Sequence, residues 1–159
     1  MKVLAIDPGY DRMGVAIVEI QQQKETVLFS TCIQTDKNTP LADRIYTLGQ
    51  ALQVIITEHK PDTLAIETLF FNKNIKTAIA VAQARGAILL IAKQNNCVVY
   101  EFGPQEIKVA ITGYGKSDKV AVTNMVKSIV ANVPGNAIDD EYDAIAVGVT
   151  CLAHYGRNI

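Results

Sequence analysis

The chain has 159 residues, of which 49% are apolar and 19% charged, with only five prolines. That composition excludes an extended disordered chain, and the length predicts one domain over 1–159 that buries roughly two-thirds of its unfolded surface. A net charge of −1 is unlike that of a nucleic-acid binder, but residues 70–127 hold eight Lys/Arg against three Asp/Glu, while the flanks on either side are each net negative.

Three β-branched, apolar runs open the chain at 2–7, 13–20 and 26–34, separated by the turn segments DPGYDR and QQQKE. They predict an antiparallel meander. The first apolar run, 3–6, is too short for a signal peptide, and no run further on reaches membrane-spanning length, so a cytoplasmic location is expected and no membrane partner. After Pro40, residues Leu41, Ile45, Leu48, Leu52, Ile55 and His59 recur at three- and four-residue spacing, which predicts a helix ending in a His that complements its C-terminal dipole. Residues 63–67 (TLAIE) form a short buried strand closed by a carboxylate. A polar-aromatic loop at 70–74 leads into a long Ala-rich helix over 75–95, whose Ala78, Ala82 and Gly86 recur every four residues and suggest close approach of another helix. A strand at 97–102, a short helix from Pro104, a loop at Gly113 and Gly115, and helices over 118–131 and 139–155 complete the pattern, with Ser117 a candidate N-cap. Cys32, Cys97 and Cys151 are far apart and set in apolar runs, as reduced core thiols are. Strands alternating with helices after an antiparallel start predict an α/β fold with a mixed five-stranded sheet covered on both faces.

Four acids stand out against this frame. Asp7 and Glu67 close apolar strands, where a carboxylate is costly to desolvate unless it is paired or binds a cation. Asp140 and Asp143 lie three residues apart, on one helix face that continues into Val147 and Cys151, so both should point toward the sheet. Simpler roles exist for three of them: Asp7 as a turn cap, Glu67 as a partner of Lys73 or Lys76, Asp140 as a favourable charge at a helix start. Asp143 sits a turn further in and directly precedes AIAV, where no such role serves. Four acids without a base among them repel one another unless hard divalent cations intervene, which implies Mg²⁺, with Mn²⁺ as a substitute. Two such ions roughly 3.5 to 4 Å apart can support in-line phosphoryl displacement. His59 and His154 are the only histidines, which leaves little for Ser-His-Asp chemistry and nothing with zinc spacing.

The segments AIDPG (5–9), AIETLFFNKN (65–74), AQARGA (82–87), IKVAITGYGKSDK (107–119) and DDEYDAIAVG (139–148) resemble, in order and spacing, those of the RuvC family of Holliday junction resolvases, with an RNase H-like fold. The resemblance implies a homodimer that binds four-way junction DNA in recombination and repair. Paired nicks on strands of like polarity would leave 5′-phosphate and 3′-hydroxyl ends, with a branch-migration motor of the RuvAB kind delivering the junction. Carried over by position, Asp7, Glu67, Asp140 and Asp143 are the metal-binding acids, Lys119 and Lys108 approach the scissile phosphate, and Phe70 stacks near the junction centre. Lys73, Lys76 and Lys116 belong to the same positive region and are candidate DNA contacts. Tyr10, Asp11, Ala16, Thr68 and Tyr142 depart from the family pattern, and Asp11 adds negative charge close to the acids. Competing readings are an RNase H-like nuclease acting on another nucleic acid such as an RNA–DNA hybrid, an actin-like ATPase, for which the chain has length for only one lobe, and a non-catalytic DNA-binding module.

Overall fold

The computed structural model describes residues 1–68 and 75–156, with side chains from residue 77 onward in the second stretch. The first three strands are β1 (Lys2–Asp7), β2 (Arg12–Gln21) and β3 (Lys24–Gln34), followed by helix α1 (Leu41–His59) and strand β4 (Thr63–Glu67). Helix α2 (Ile75–Gln94), strand β5 (Val98–Phe102) and helices α3 (Pro104–Thr112), α4 (Lys119–Ile129) and α5 (Asp139–Cys151) follow. The sheet order is β3-β2-β1-β4-β5, so β1 is central. Antiparallel pairing joins β1 to β2 and β2 to β3, whereas β4 runs parallel to both β1 and β5. The mixed five-stranded α/β architecture expected from the sequence is therefore the one observed, opening with the antiparallel meander.

Strand periodicity sorts the core into two layers. On one face Val3, Ala5, Ala16, Val18 and Ala65 pack against α3, α4 and α5. On the other, Leu4, Ile6, Val15, Ile17, Leu64 and Ile66 pack against α1 and α2. Alternate residues point to opposite faces, so Asp7 follows Val3 and Ala5, and Glu67 follows Ala65, onto the α5 side. Helix α5 is buried nearly all round from Ala144 to Cys151. It lies close to the sheet because Gly148 has no side chain: a Cβ there would stand 2.5 Å from Val18 and 2.9 Å from Ala5.

Several boundaries differ from the sequence expectation. Ser117 is not the cap of α4; Asp118 is, its carboxylate accepting from the Ala121 amide at 2.8 Å, while the Ser117 and Thr112 hydroxyls are 2.7 Å apart. A carboxylate at an N-cap gains more from the helix dipole than a hydroxyl does. The last helix stops being α-helical at Cys151 and continues as one π-helical turn, Leu152–Gly156, where Tyr155 stacks on Tyr100 with centroids 4.0 Å apart. The turn between β2 and β3 is made by Gln22 and Gln23, both at positive φ (49° and 64°), the twist a two-residue hairpin demands. His59 lies against Phe29 at 5.0 Å between ring centroids, partly buried. All three cysteines are free, and burial raises each thiol, Cys151 to about 12.

On α2, Ala84, Ile88 and Ala92 are buried in the core layer against the sheet, and Ala80 is buried as well. The opposite side exposes Ile79 at 54% and Leu90 at 60%, with Gly86 open enough that a Cβ would meet nothing within 4 Å. Ala78 and Ala82 are partly exposed between these two faces.

Candidate active site

Asp7 and Glu67 arrive at the same edge of the sheet because β1 and β4 are parallel neighbours, each ending in its acid. The N-terminal turn of α5 comes down over that edge. Gly14, paired with Asp7 across the β1–β2 ladder, permits the approach: a Cβ on Gly14 would stand 1.9 Å from the Asp140 carbonyl oxygen. Contact this close leaves no room for any other residue type. Acids in the first turn of α5, Asp139, Asp140 and Glu141, complement its dipole, and Glu141 also accepts a hydrogen bond from the Ser30 hydroxyl at 2.7 Å. Tyr142, between Asp140 and Asp143, is buried and donates its hydroxyl to the Pro134 and Gly135 carbonyls at 2.8 and 3.2 Å, with the Lys127 ammonium over its ring. The large side chain at this position therefore anchors the loop that leads into the helix.

The four acids share one electrostatic environment. Burial raises the Asp7 carboxyl from its ordinary 3.8 to about 7, the charges of Glu67, Asp143 and Asp140 add to the rise, and Lys119 opposes it. Glu67 is raised as well, first by burial and then by Asp143, against Lys108 and Lys119. Two hollows flank the cluster. One, of about 200 Å³, is lined by Glu67, Lys108, Lys119 and Asp143 with apolar Pro104, Ile107, Val122 and Ala146; the other, of about 340 Å³, is lined by Asp7, the 8–12 turn, Thr77, Val81 and Asp140.

Cations of the chain itself sit against both helix acids. Lys119 Nζ lies 2.8 Å from Asp143 and 3.6 Å from Asp139. Burial by itself would lower the Lys119 ammonium, but hydrogen bonds and charge from Asp143 and Asp139 outweigh it and leave its pKa raised. Arg12 Nη2 lies 3.0 Å from Asp140 Oδ2, an oxygen that is buried and has no donor in hydrogen-bonding geometry. With these pairings, no three acid, His or Cys side chains among the described residues stand close enough together to hold an ion as they are oriented. The donor set nevertheless fits a hard cation: oxygen ligands only, one of them the buried Asp140 Oδ2 without a well-directed donor, another the Asp7 carboxyl raised to about 7 by burial and then by its acidic neighbours.

Among the other sequence candidates, Lys108 lines the hollow with Glu67, and Lys116 is exposed on the loop between α3 and α4. Phe70 and Lys73 lie outside the described residues, and so does the side chain of Lys76. Asp11 does not burden the site as expected. Its carboxylate pairs with the buried guanidinium of Arg44, which also donates to the Thr35 hydroxyl at 2.9 Å and lies 4.9 Å from the Tyr10 ring centre. The two departures at Tyr10 and Asp11 thus form one clamp with Arg44 that fastens the turn after Asp7. Four partnerships around the site were not legible in the sequence: Arg12 and Gly14 against Asp140, Ser30 on Glu141 and Arg44 on Asp11. Gly14 carried the best available signal, a glycine inside a strand, which marks close backbone approach.

The family model for RuvC, the crossover junction endodeoxyribonuclease, matches residues 3–151. Curated RuvC proteins of that description include one from Alkaliphilus oremlandii, 39% identical over 157 residues (99% of this chain, 95% of the relative). Another, from Thermosipho melanesiensis, is 42% identical over 153 residues (96% and 97%). Among solved structures, T. thermophilus RuvC in complex with Holliday junction substrate superposes with a TM-score of 0.90 at 28% identity, covering 99% of this chain and 95% of that one. The yeast mitochondrial Holliday junction resolvase Ydc2 shares the fold, with a TM-score of 0.72 at 14% identity, covering 96% and 80%. With its acids gathered on the α5 side of such a sheet, this chain belongs to the RuvC family of crossover junction endodeoxyribonucleases.

Proposed function

We propose that this chain resolves four-way DNA junctions by metal-assisted hydrolysis of phosphodiester bonds, with Asp7, Glu67, Asp140 and Asp143 as the metal-binding acids. The observation that carries this is the convergence of four carboxylates from β1, β4 and α5 at one edge of the sheet, beside Lys108 and Lys119. Two ions of the Mg²⁺ or Mn²⁺ kind, bound there, would supply Lewis-acid activation of the phosphate and of the attacking water. The protein contributes position and charge. Asp7 and Glu67 are held rigidly by a central sheet, and Asp140 and Asp143 by a buried helix, so the acids meet a substrate already in place. A raised pKa keeps Lys119 protonated at neutral pH, which makes its ammonium a stabiliser of developing negative charge and a donor, not a base.

The reading extends to products with 5′-phosphate and 3′-hydroxyl ends, a cytoplasmic location, which fits the absence of any membrane-length apolar helix among the described residues, and delivery by a branch-migration motor. It also extends to a homodimer through α2. Ile79 and Leu90 on its outward side, with open Gly86 between them, support a two-fold partner there, and paired cuts on strands of like polarity require two such sites. Further candidate DNA contacts are Phe70, Lys73, Lys76, Lys108 and Lys116.

Incubating the protein with a synthetic four-way junction and Mg²⁺, then mapping end-labelled products, tests the proposal. Nicks at symmetric positions on two strands of like polarity are expected. Cleavage of an RNA–DNA hybrid with none of the junction would overturn it.

A further inference from the structure

Arg12 belongs to neither the four acids nor the lysines that face DNA in the proposed function. Its side chain is 54% exposed on the rim, yet its Nη2 reaches 3.0 Å from the Oδ2 of Asp140, whose side chain is only 17% exposed. That oxygen is buried and receives no well-directed hydrogen bond. Arg12 opens β2, two residues before the Gly14 that lets Asp140 approach, and immediately follows Asp11, which the buried Arg44 fastens. The backbone that carries the guanidinium is therefore held, while the side chain itself has solvent on one side.

From this contact we propose that Arg12 is the resident counter-cation of Asp140, and that a divalent ion entering the site must displace it. The inference rests on the four acids being metal ligands. A divalent ion drawn to the oxygen that Arg12 faces would stand a few ångströms from the guanidinium, and their repulsion in a partly buried cleft outweighs what a rim-exposed ion pair returns. Arg12 consequently weakens metal binding to the free protein while it offsets the charge of Asp140. Lys119 stands in the same relation to Asp143, so each helix acid has its own cation. The ammonium of Lys119 lines the hollow with Glu67, whereas Arg12 opens on the opposite hollow with Asp7.

Titration calorimetry of the DNA-free protein with Mn²⁺ alone tests this, comparing wild type, Arg12→Gln and Lys37→Gln. Lys37 lines the surface hollow beside Arg12 and controls for the loss of a positive charge away from Asp140. Arg12→Gln is expected to bind Mn²⁺ about three- to ten-fold more tightly than wild type, and Lys37→Gln less than about two-fold more tightly. Circular dichroism melting without metal shows whether each variant is folded; should Arg12→Gln melt early, Arg12→Met, which keeps the aliphatic length, replaces it. Unchanged or weaker Mn²⁺ binding on losing the guanidinium, or an equal gain in Lys37→Gln, overturns the role of Arg12. Wild-type protein that binds no Mn²⁺ at millimolar concentration overturns instead the metal reading on which the inference rests.

Discussion

Replacing Asp7 with Asn should inactivate the enzyme and, in chelator, make it more stable. Folding raises the Asp7 carboxyl from 3.8 to about 7. The folded protein thus holds a proton that the unfolded chain has already lost, and stability falls as pH rises from about 4 through about 7, staying low above that. At about 1.4 kcal/mol per pH unit, ionised Asp7 costs the folded state on the order of 4 kcal/mol at pH 8, a figure reduced to roughly 2 to 4 by solvent reaching the partly exposed side chain. Asn has the same shape and no charge. Urea denaturation in EDTA at one fixed protein concentration should show Asp7→Asn more stable than wild type by that amount at pH 8, with the difference shrinking toward pH 5. Divalent metal should reverse the order, because it binds the folded wild-type site and rewards the negative charge. A variant no more stable than wild type at pH 8, or a gain independent of pH, would refute the account of Asp7 as a carboxylate strained by burial and like charges. Near-normal junction cleavage by the same variant would refute its place among the metal ligands.

Three further expectations concern the parts around the acids. Gly14→Ala pushes a Cβ to 1.9 Å from the Asp140 carbonyl, so it should destabilise the protein by at least about 2 kcal/mol or shift α5, lowering cleavage more than junction binding; a thermal melt and rate equal to wild type would show that α5 is not seated on β2 as described. Lys119→Ala should cut the cleavage rate by roughly 10² or more while changing junction affinity by only a few-fold, read from single-turnover rates and gel-shift titration; a loss in affinity equal to the loss in rate would make Lys119 a binding residue alone. Ala82→Arg should leave the fold intact and drive the protein to monomer in sedimentation at micromolar concentration, and a variant that stays dimeric and still makes paired cuts would place the interface elsewhere.

Much of the site is legible in the sequence because the informative signals are local. A carboxylate closing an apolar run, as at Asp7 and Glu67, is improbable on energetic grounds without a partner, and three-residue spacing on a helix fixes a shared face for Asp140 and Asp143. Strand parity does the same for the sheet: once Val3, Ala5 and Ala65 are known to face inward, Asp7 and Glu67 must lie on that face too. Periodicity therefore determined which elements form and which side of each carries the acids.

Local signals say nothing about what stands opposite. That β1 is parallel to β4 and central, so that its acid meets that of β4, follows from strand order, which depends on contacts across some sixty residues of sequence. The ion pair of Arg12 with Asp140 and the clamp of Arg44 on Asp11 join residues 128 and 33 positions apart, and no propensity or period couples such positions. Asp11, read from sequence as a charge that burdens the metal site, is neutralised by an arginine on another element, and Tyr142 proves to be a tether to the preceding loop. The sequence by itself determined the elements, the faces and which acids stand on them, since these depend on near neighbours along the chain. Only the tertiary structure decided how those acids are balanced, because the balance is set by cations that folding brings from distant parts of the chain into a partly buried, weakly screened cleft.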